Sequence, residues 1–247
     1  MKTLCITVAL VQTLTTAFSQ VTLFSGSDSG AAPAGPWPNS ANAAAAFDTA
    51  AGHLGSIYTI NFEALPLGQF ASLPLMPGVT ATQTGYDPGV GGIVANGYAT
   101  PVGATGFNTT PGGSRFLGFV PSFNVGTATL DFAFSTPVQA WGAYVVGLDS
   151  AVAGSVSVQF NDGSANSYAL QDLNSAGVEY FGFTDPNRSI VHITLVETGI
   201  SGTRDIYGVD DVSFVVVPEP STWVLLTGGL SGLFYWRRVV KQRAIKL

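Results

Sequence analysis

Ser155-Val156-Ser157-Val158-Gln159-Phe160, followed by Asn161-Asp162-Gly163-Ser164, decides the fold. Apolar and polar side chains alternate with the two-residue period of a strand that buries one face. Val156, Val158 and Phe160 are expected to point inward. Asp-Gly among four turn-forming residues is a hairpin signal, so residues 166–170 should return as the partner strand. The same texture extends outward to residues 57–63, 127–134, 138–148, 178–183, 190–196 and 211–217, with Gly and Pro in the gaps. Many short strands without intervening helices predict an all-β chain, an antiparallel sandwich or barrel rather than a parallel α/β fold.

Upstream of the strands the pattern changes. Residues 20–40 are rich in Ser, Gly, Ala and Pro, with Pro33, Pro36 and Pro38 close together. They read as a flexible or extended lead-in. Residues 42–54 are alanine-rich and predict one short helix, with Ser40 as N-cap and Gly55 just past its end.

Both ends of the chain carry addresses. Lys2, an apolar stretch over residues 4–14 and Ala17-Phe18-Ser19 before Gln20 form a secretory signal peptide with a small-x-small cleavage site. Its removal would take away Cys5, the only cysteine, leaving no disulfide, thiolate metal site or cysteine nucleophile. At the other end stand Pro218-Glu219-Pro220, an uncharged run from Trp223 to Trp236, and then Arg237, Arg238, Lys241, Arg243 and Lys246. The prolines hold the chain extended and block helix upstream. Trp223, Tyr235 and Trp236 sit where interfacial aromatics belong, and the basic cluster keeps the end cytoplasmic. The run is shorter than the roughly 20 residues that comfortably span a bilayer, and snorkelling arginines extend it.

Between residues 20 and 217 three arginines face fourteen acids, and there is no lysine. Such a body repels nucleic acid and anionic lipid, and suits divalent cations and neutral sugars. The organisation expected is a signal peptide over 1–19, a lead-in and helix over 20–55, a β-domain over 56–217 and a targeting tail over 218–247.

The order of tripeptide, apolar span and basic cluster resembles the PEP-CTERM sorting signal of Gram-negative bacteria that make extracellular polysaccharide. The resemblance implies that an exosortase, a membrane-embedded cysteine protease, recognises Pro218-Glu219-Pro220 and releases or transfers the protein at the cell surface. It also implies passage through the Sec translocon and signal peptidase, and an intermediate anchored in the inner membrane. From Phe47 onward the body is similar to a group of PEP-CTERM domain proteins, through Asn61-Phe62-Glu63-Ala64-Leu65-Pro66-Leu67-Gly68, Arg115-Phe116-Leu117-Gly118, the stretch 130–138, Phe181-Gly182-Phe183-Thr184 and Tyr207-Gly208-Val209-Asp210-Asp211-Val212. This likeness implies a jelly-roll β-sandwich similar to carbohydrate-binding modules. In such modules a structural calcium often ties the first strand to the last. Glu63, at the end of the first predicted strand, and Asp210 or Asp211, at the start of the last, are then candidate Ca²⁺ ligands.

Signs of catalysis are few. His53 and His192 are the only histidines, and neither has a recognisable partner for a serine hydrolase. No HExxH, Walker or GxSxG pattern occurs. A glycosidase would need two of Glu63, Asp205 and Asp210 to line one cleft. Asp210 and Asp211, adjacent in a strand, are expected on opposite faces. A glycan site would need an exposed aromatic; Trp37, Trp141, Tyr86, Tyr98 and Tyr168 are the candidates, with Trp141 expected in the core. The reading is a non-catalytic exported surface protein associated with exopolysaccharide or biofilm matrix. The alternatives are a carbohydrate-binding module or adhesin, and a secreted hydrolase.

Overall fold

The computed structural model describes residues 21–31, 35–85, 92–95, 106–119, 126–148, 152–171, 173, 177–199 and 207–217. The predicted signal peptide, the tail from Pro218, Tyr86, Tyr98 and Asp205 lie outside them. Among the described residues no helix is long and apolar enough to cross a membrane; the predicted span is not among them.

Along the chain come β1 (Thr22–Asp28), α1 (Pro38–Gly52), β2 (Ile57–Ile60), β3 (Ser72–Met76), β4 (Val79–Thr84), β5 (Gly92–Ala95) and β6 (Arg115–Phe119). They are followed by β7 (Thr127–Leu148), β8 (Val152–Phe160), β9 (Ala165–Ala169), β10 (Gly177–Thr184), β11 (Ile190–Gly199) and β12 (Tyr207–Val216). Every pairing between these strands is antiparallel.

The two strands predicted over 127–134 and 138–148 are one strand of 22 residues, β7. Its first half pairs with β4 and β11, its second with β10 and β12. Pro137, which has no amide hydrogen to contribute, falls between the two ladders, where its loss is harmless. One layer is therefore β3-β4-β7-β11-β8-β9. The other is β1-β10-β7-β12, with β2 and β6 both on the far side of β12 and β5 beyond β6. A single sheet folds back on itself through β7, giving a β-sandwich.

The alternating residues of both layers meet inside. Val156, Val158 and Phe160 are buried as predicted, facing a core that includes Phe132, Ile193, Phe181, Phe183 and Phe214. Trp141 lies at its centre, fully buried, with its ring 6.2 Å from that of Phe132 and 6.4 Å from that of Phe183. Each such side chain contributes about 1.5–3 kcal/mol by leaving water.

The helix forms a third layer. Phe47 and Ala51 bury themselves against Ala140, Tyr180 and Val215 on the outer face of the second layer. Proline in the first turn and the alanine run favour helix here. It starts four residues earlier than predicted, and Ser40 is not its N-cap. Trp37 holds that position and makes no side-chain cap bond. The Asp28 carboxylate, at the end of β1, does the capping from outside: it accepts the Asn39 amide at 3.2 Å, the Ser40 amide at 2.9 Å and the Ser40 hydroxyl at 2.6 Å. Burial raises the Asp28 pKa, but these bonds from Ser40 and Asn39 outweigh it and hold the carboxyl below its usual value. The helix ends on His53 in ordinary right-handed geometry rather than on Gly55.

Part of the predicted lead-in is a strand. β1 pairs with β10 along its whole length, from Thr22 opposite Thr184 to Asp28 opposite Val178. Gly26 is required where α1 crosses it, because a Cβ there would collide with the Asn39 carbonyl. Propensity in 22–28 is weak; pairing with β10 decides it.

Candidate functional site

The three acids singled out by sequence converge on one segment, residues 106–115, from two directions. Glu63 stands three residues beyond β2, just after Phe62, whose φ of 61° turns the chain sharply. The first strand thus ends at Ile60, short of the predicted Glu63. One oxygen, Glu63 Oε1, accepts from Asn108 Nδ2 at 2.7 Å and from the Ser114 and Arg115 amides at 2.8 Å each. Arg115 in turn donates to the Leu65 carbonyl. These bonds clip the segment to the turn after β2.

Asp210 and Asp211 lie within β12, not at its start. Two consecutive residues of a regular strand point to opposite faces, and here they do not. Asp211 has φ 47°, in the left-handed region, and the ladder to β7 is irregular between Asp210 and Ser213. This bulge turns both carboxylates toward the same segment. Asp210 Oδ2 accepts the Thr109 amide at 2.6 Å, and Asp211 Oδ1 accepts the Thr110 hydroxyl at 2.6 Å. The expectation that the two acids cannot act together fails because bulges cannot be read from alternation alone.

Asp210 is fully buried, and its second oxygen, Oδ1, has no hydrogen-bond partner. Burial first, and the charge of Asp211 second, push its pKa up to about 7, against the opposing pull of the Thr109 bonds. Adjacent like charges in a low dielectric resist double ionisation.

Calcium takes six to eight oxygens. The pair brings four, and three of these already accept bonds from Thr109 and Thr110. Glu63 commits one oxygen, Oε1, to Asn108, Ser114 and Arg115. Among the described residues no group of three or more His, Cys, Asp and Glu is placed to hold a metal ion. Four of the six oxygens of these three carboxylates thus already accept hydrogen bonds.

His192 lies on the outer face of the first layer, where its Nδ1 is 2.9 Å from Asp131 Oδ2, and Thr194 donates to the other Asp131 oxygen at 2.7 Å. His53 ends α1. Of the candidate aromatics, Trp141 is core, Trp37 packs on Phe107 and Tyr144, and Tyr168 packs on Phe181 and Phe183. Sequence reasoning missed Tyr58, which is 46% exposed with its ring stacked on Phe214. It borders a crevice of about 180 Å³ between β2 and the β3–β4 hairpin. Tyr58 shares the face of buried Ile60, two residues on, and is exposed because β2 pairs only with β12 among the described strands, which no spacing in the sequence signals.

No curated protein matches the chain. Among solved structures it is similar to TmCBM61 in complex with β-1,4-galactotriose, at 15% identity and a TM-score of 0.35, over 63% of this chain and 94% of that one. It is similar to the K2 cleaved adhesin domain of Lys-gingipain, at 12% identity and a TM-score of 0.40, over 65% and 98%. It is also similar to an exo-β-agarase, at 11% and 0.43, where it spans 67% of itself but only 25% of that chain. The PEP-CTERM protein-sorting motif matches residues 216–239, so that it begins on the last residue of β12. Such a motif marks an exported protein that is membrane-anchored before processing, and the chain carries it.

Proposed function

We propose that this is a non-catalytic surface protein, exported through the Sec translocon, trimmed by signal peptidase after Ser19, and sorted by exosortase into an extracellular polysaccharide or biofilm matrix. The observation that carries this reading is the sorting motif placed directly on the end of β12. The lysine-free, acidic body supports a neutral partner such as polysaccharide over nucleic acid. Glu63 and Asp210, the acids a glycosidase would need, are engaged in holding residues 106–115, which supports a structural role for them. A defined glycan site is the second reading. Tyr58 favours it, as a described aromatic with an exposed ring.

The deciding experiment compares intact mass and location in the native host with a strain lacking exosortase. A form shortened near residues 218–222, found at the surface or in the medium only when exosortase is present, is the expected result. Full-length protein in the inner membrane of both strains would make the tail a plain anchor and end the sorting reading.

A further inference from the structure

Backbone groups on the edge of a sheet bond to whatever lies beside them, and proteins usually close such edges. Several edges here are closed. The Ile93 amide and carbonyl of β5 both bond to Gly68. β3 carries Pro74, which has no amide hydrogen to offer. On β1 the Asn39 side chain donates to the Ser27 carbonyl at 3.0 Å. β2 is only four residues long.

β9 has none of these devices. Among the described residues it pairs only with β8, in unbroken register. Its sequence, Ala165-Asn166-Ser167-Tyr168-Ala169, holds no charge and no proline. The Leu170 amide donates to the Gly154 carbonyl and the Phe160 amide to the Ser164 carbonyl, each at 2.9 Å. Bonded pairs alternate in an antiparallel ladder, so between these two it is Tyr168 and Asn166 that bond to β8. The amides and carbonyls of Ala165, Ser167 and Ala169 then point to the open side. All three residues are exposed.

We propose that this edge docks a second copy of the chain, β9 against β9, antiparallel about a two-fold axis through Ser167. The proposal goes beyond the sorting reading and does not rest on it. Self-complementarity argues for it first. Ala165 faces Ala169 of the partner subunit, and Ser167 faces Ser167 of the partner subunit. These facing pairs exchange about six backbone hydrogen bonds. The exposed side chains read Ala-Ser-Ala in both directions and are small enough not to hinder approach. On the other face Asn166 meets Tyr168 of the partner subunit, an amide–hydroxyl pairing that already occurs within one strand at 3.3 Å. Charge argues second. The acidic, lysine-free body repels its own kind, but β8 and β9 carry no charged residue. Two copies meet here without setting like charges opposite each other in the paired strands. Specificity argues third. An unrelated extended peptide is selected through side-chain pockets, and Ala-Ser-Ala forms none. The register itself selects the partner.

The test uses the full-length chain in nonionic detergent, with Cys5→Ser to remove its one native thiol. Single cysteines are introduced and oxidised. Facing Cα atoms of a bonded antiparallel pair lie about 5.5 Å apart, within disulfide reach. Ser167→Cys should therefore crosslink with itself. Ala165→Cys and Ala169→Cys should crosslink poorly alone and well when mixed. Adding Ser167→Glu to that mixture sets like charges on the axis, and Ser167→Pro removes an edge amide that β8 does not use; each should abolish the link. Added salt should strengthen it by screening the acidic bodies. Thr49→Cys, exposed on α1, reports chance encounters in shared micelles. Equal crosslinking at Thr49, Ala165 and Ser167 overturns the proposal. Amide exchange in the uncrosslinked chain separates the other occupants. Protection at Ala165, Ser167 and Ala169 should rise with protein concentration. Protection independent of concentration would put a segment of the same chain on the edge, and no protection at any concentration would leave it bare. Either result overturns the proposal and leaves the exosortase experiment untouched.

Discussion

Asp210 and Asp211 share one hydroxyl: Thr109 Oγ1 lies 3.1 Å from Asp210 Oδ2 and 3.0 Å from Asp211 Oδ2. A hydroxyl has a single proton and donates to one of them at a time. The pair is therefore best satisfied when Asp210 carries a proton of its own, which its raised pKa of about 7 supplies.

A pH dependence follows. In the unfolded chain Asp210 titrates near 3.8, and in the folded one near 7. Between these values the folded state holds the extra proton, so this group's contribution to stability falls as pH rises from about 4 through 7. Its full extent is on the order of 4 kcal/mol. Asp210→Asn imitates the protonated form. It should leave Tm nearly unchanged near pH 3, where both states hold the proton, raise it modestly at pH 5 and raise it most at pH 8. Parallel Tm–pH curves for the two proteins would show that Asp210 does not carry the effect.

Glu63 gathers three donors on one oxygen. Glu63→Ala strands them and should cost about 2 kcal/mol, whereas Glu63→Gln keeps an acceptor oxygen and should cost less than half of that. Urea denaturation of both variants checks the order; equal losses would mean that charge, not acceptance, matters here.

The cap of α1 comes from another element. Asp28→Ala should lower stability by about 1 kcal/mol, the usual worth of an N-cap, and loosen the start of the helix first. Amide exchange at Asn39 and Ser40 should accelerate while the sandwich core stays protected. Uniform acceleration throughout would point to global unfolding instead.

Calcium offers a separate check on the acidic pair. With three of its four oxygens already bonded and one Glu63 oxygen committed elsewhere, millimolar Ca²⁺ should move Tm by less than about 1 °C at pH 7. A rise of several degrees, lost in Asp211→Asn, would restore the calcium reading.

The sorting motif can be tested directly in cells. Replacing Glu219 or Pro220 should leave full-length protein in the inner membrane. Variants that still reach the medium at normal size would show that the tripeptide is not what exosortase reads.

What the sequence revealed was what local pattern encodes. The hairpin of β8 and β9 was legible because two-residue alternation and Asp162-Gly163 lie within one short stretch; Gly163 has the positive φ of 82° that the turn requires. The strand at 22–28 was not legible, since its conformation is fixed by β10, about 155 residues away. Nor was the convergence of Asp210 and Asp211, because one left-handed residue reverses the facing that alternation predicts. Tyr58 was overlooked for a related reason: its exposure depends on β2 lying on the far side of β12, a matter of topology rather than spacing.

The place of β12 has a consequence for the order of events. It is hydrogen-bonded to β7 on one side and to β2 and β6 on the other, and the next residues in the sequence are the sorting tail. A chain delivered N-terminus first lacks the middle of its second layer until residues 207–217 arrive, and partners so distant in sequence pair slowly. On the export route proposed above, the sandwich closes only as the address behind it reaches the membrane. Maturation of the body and tethering of the tail then become a single moment, and an unfinished body is never far from its anchor.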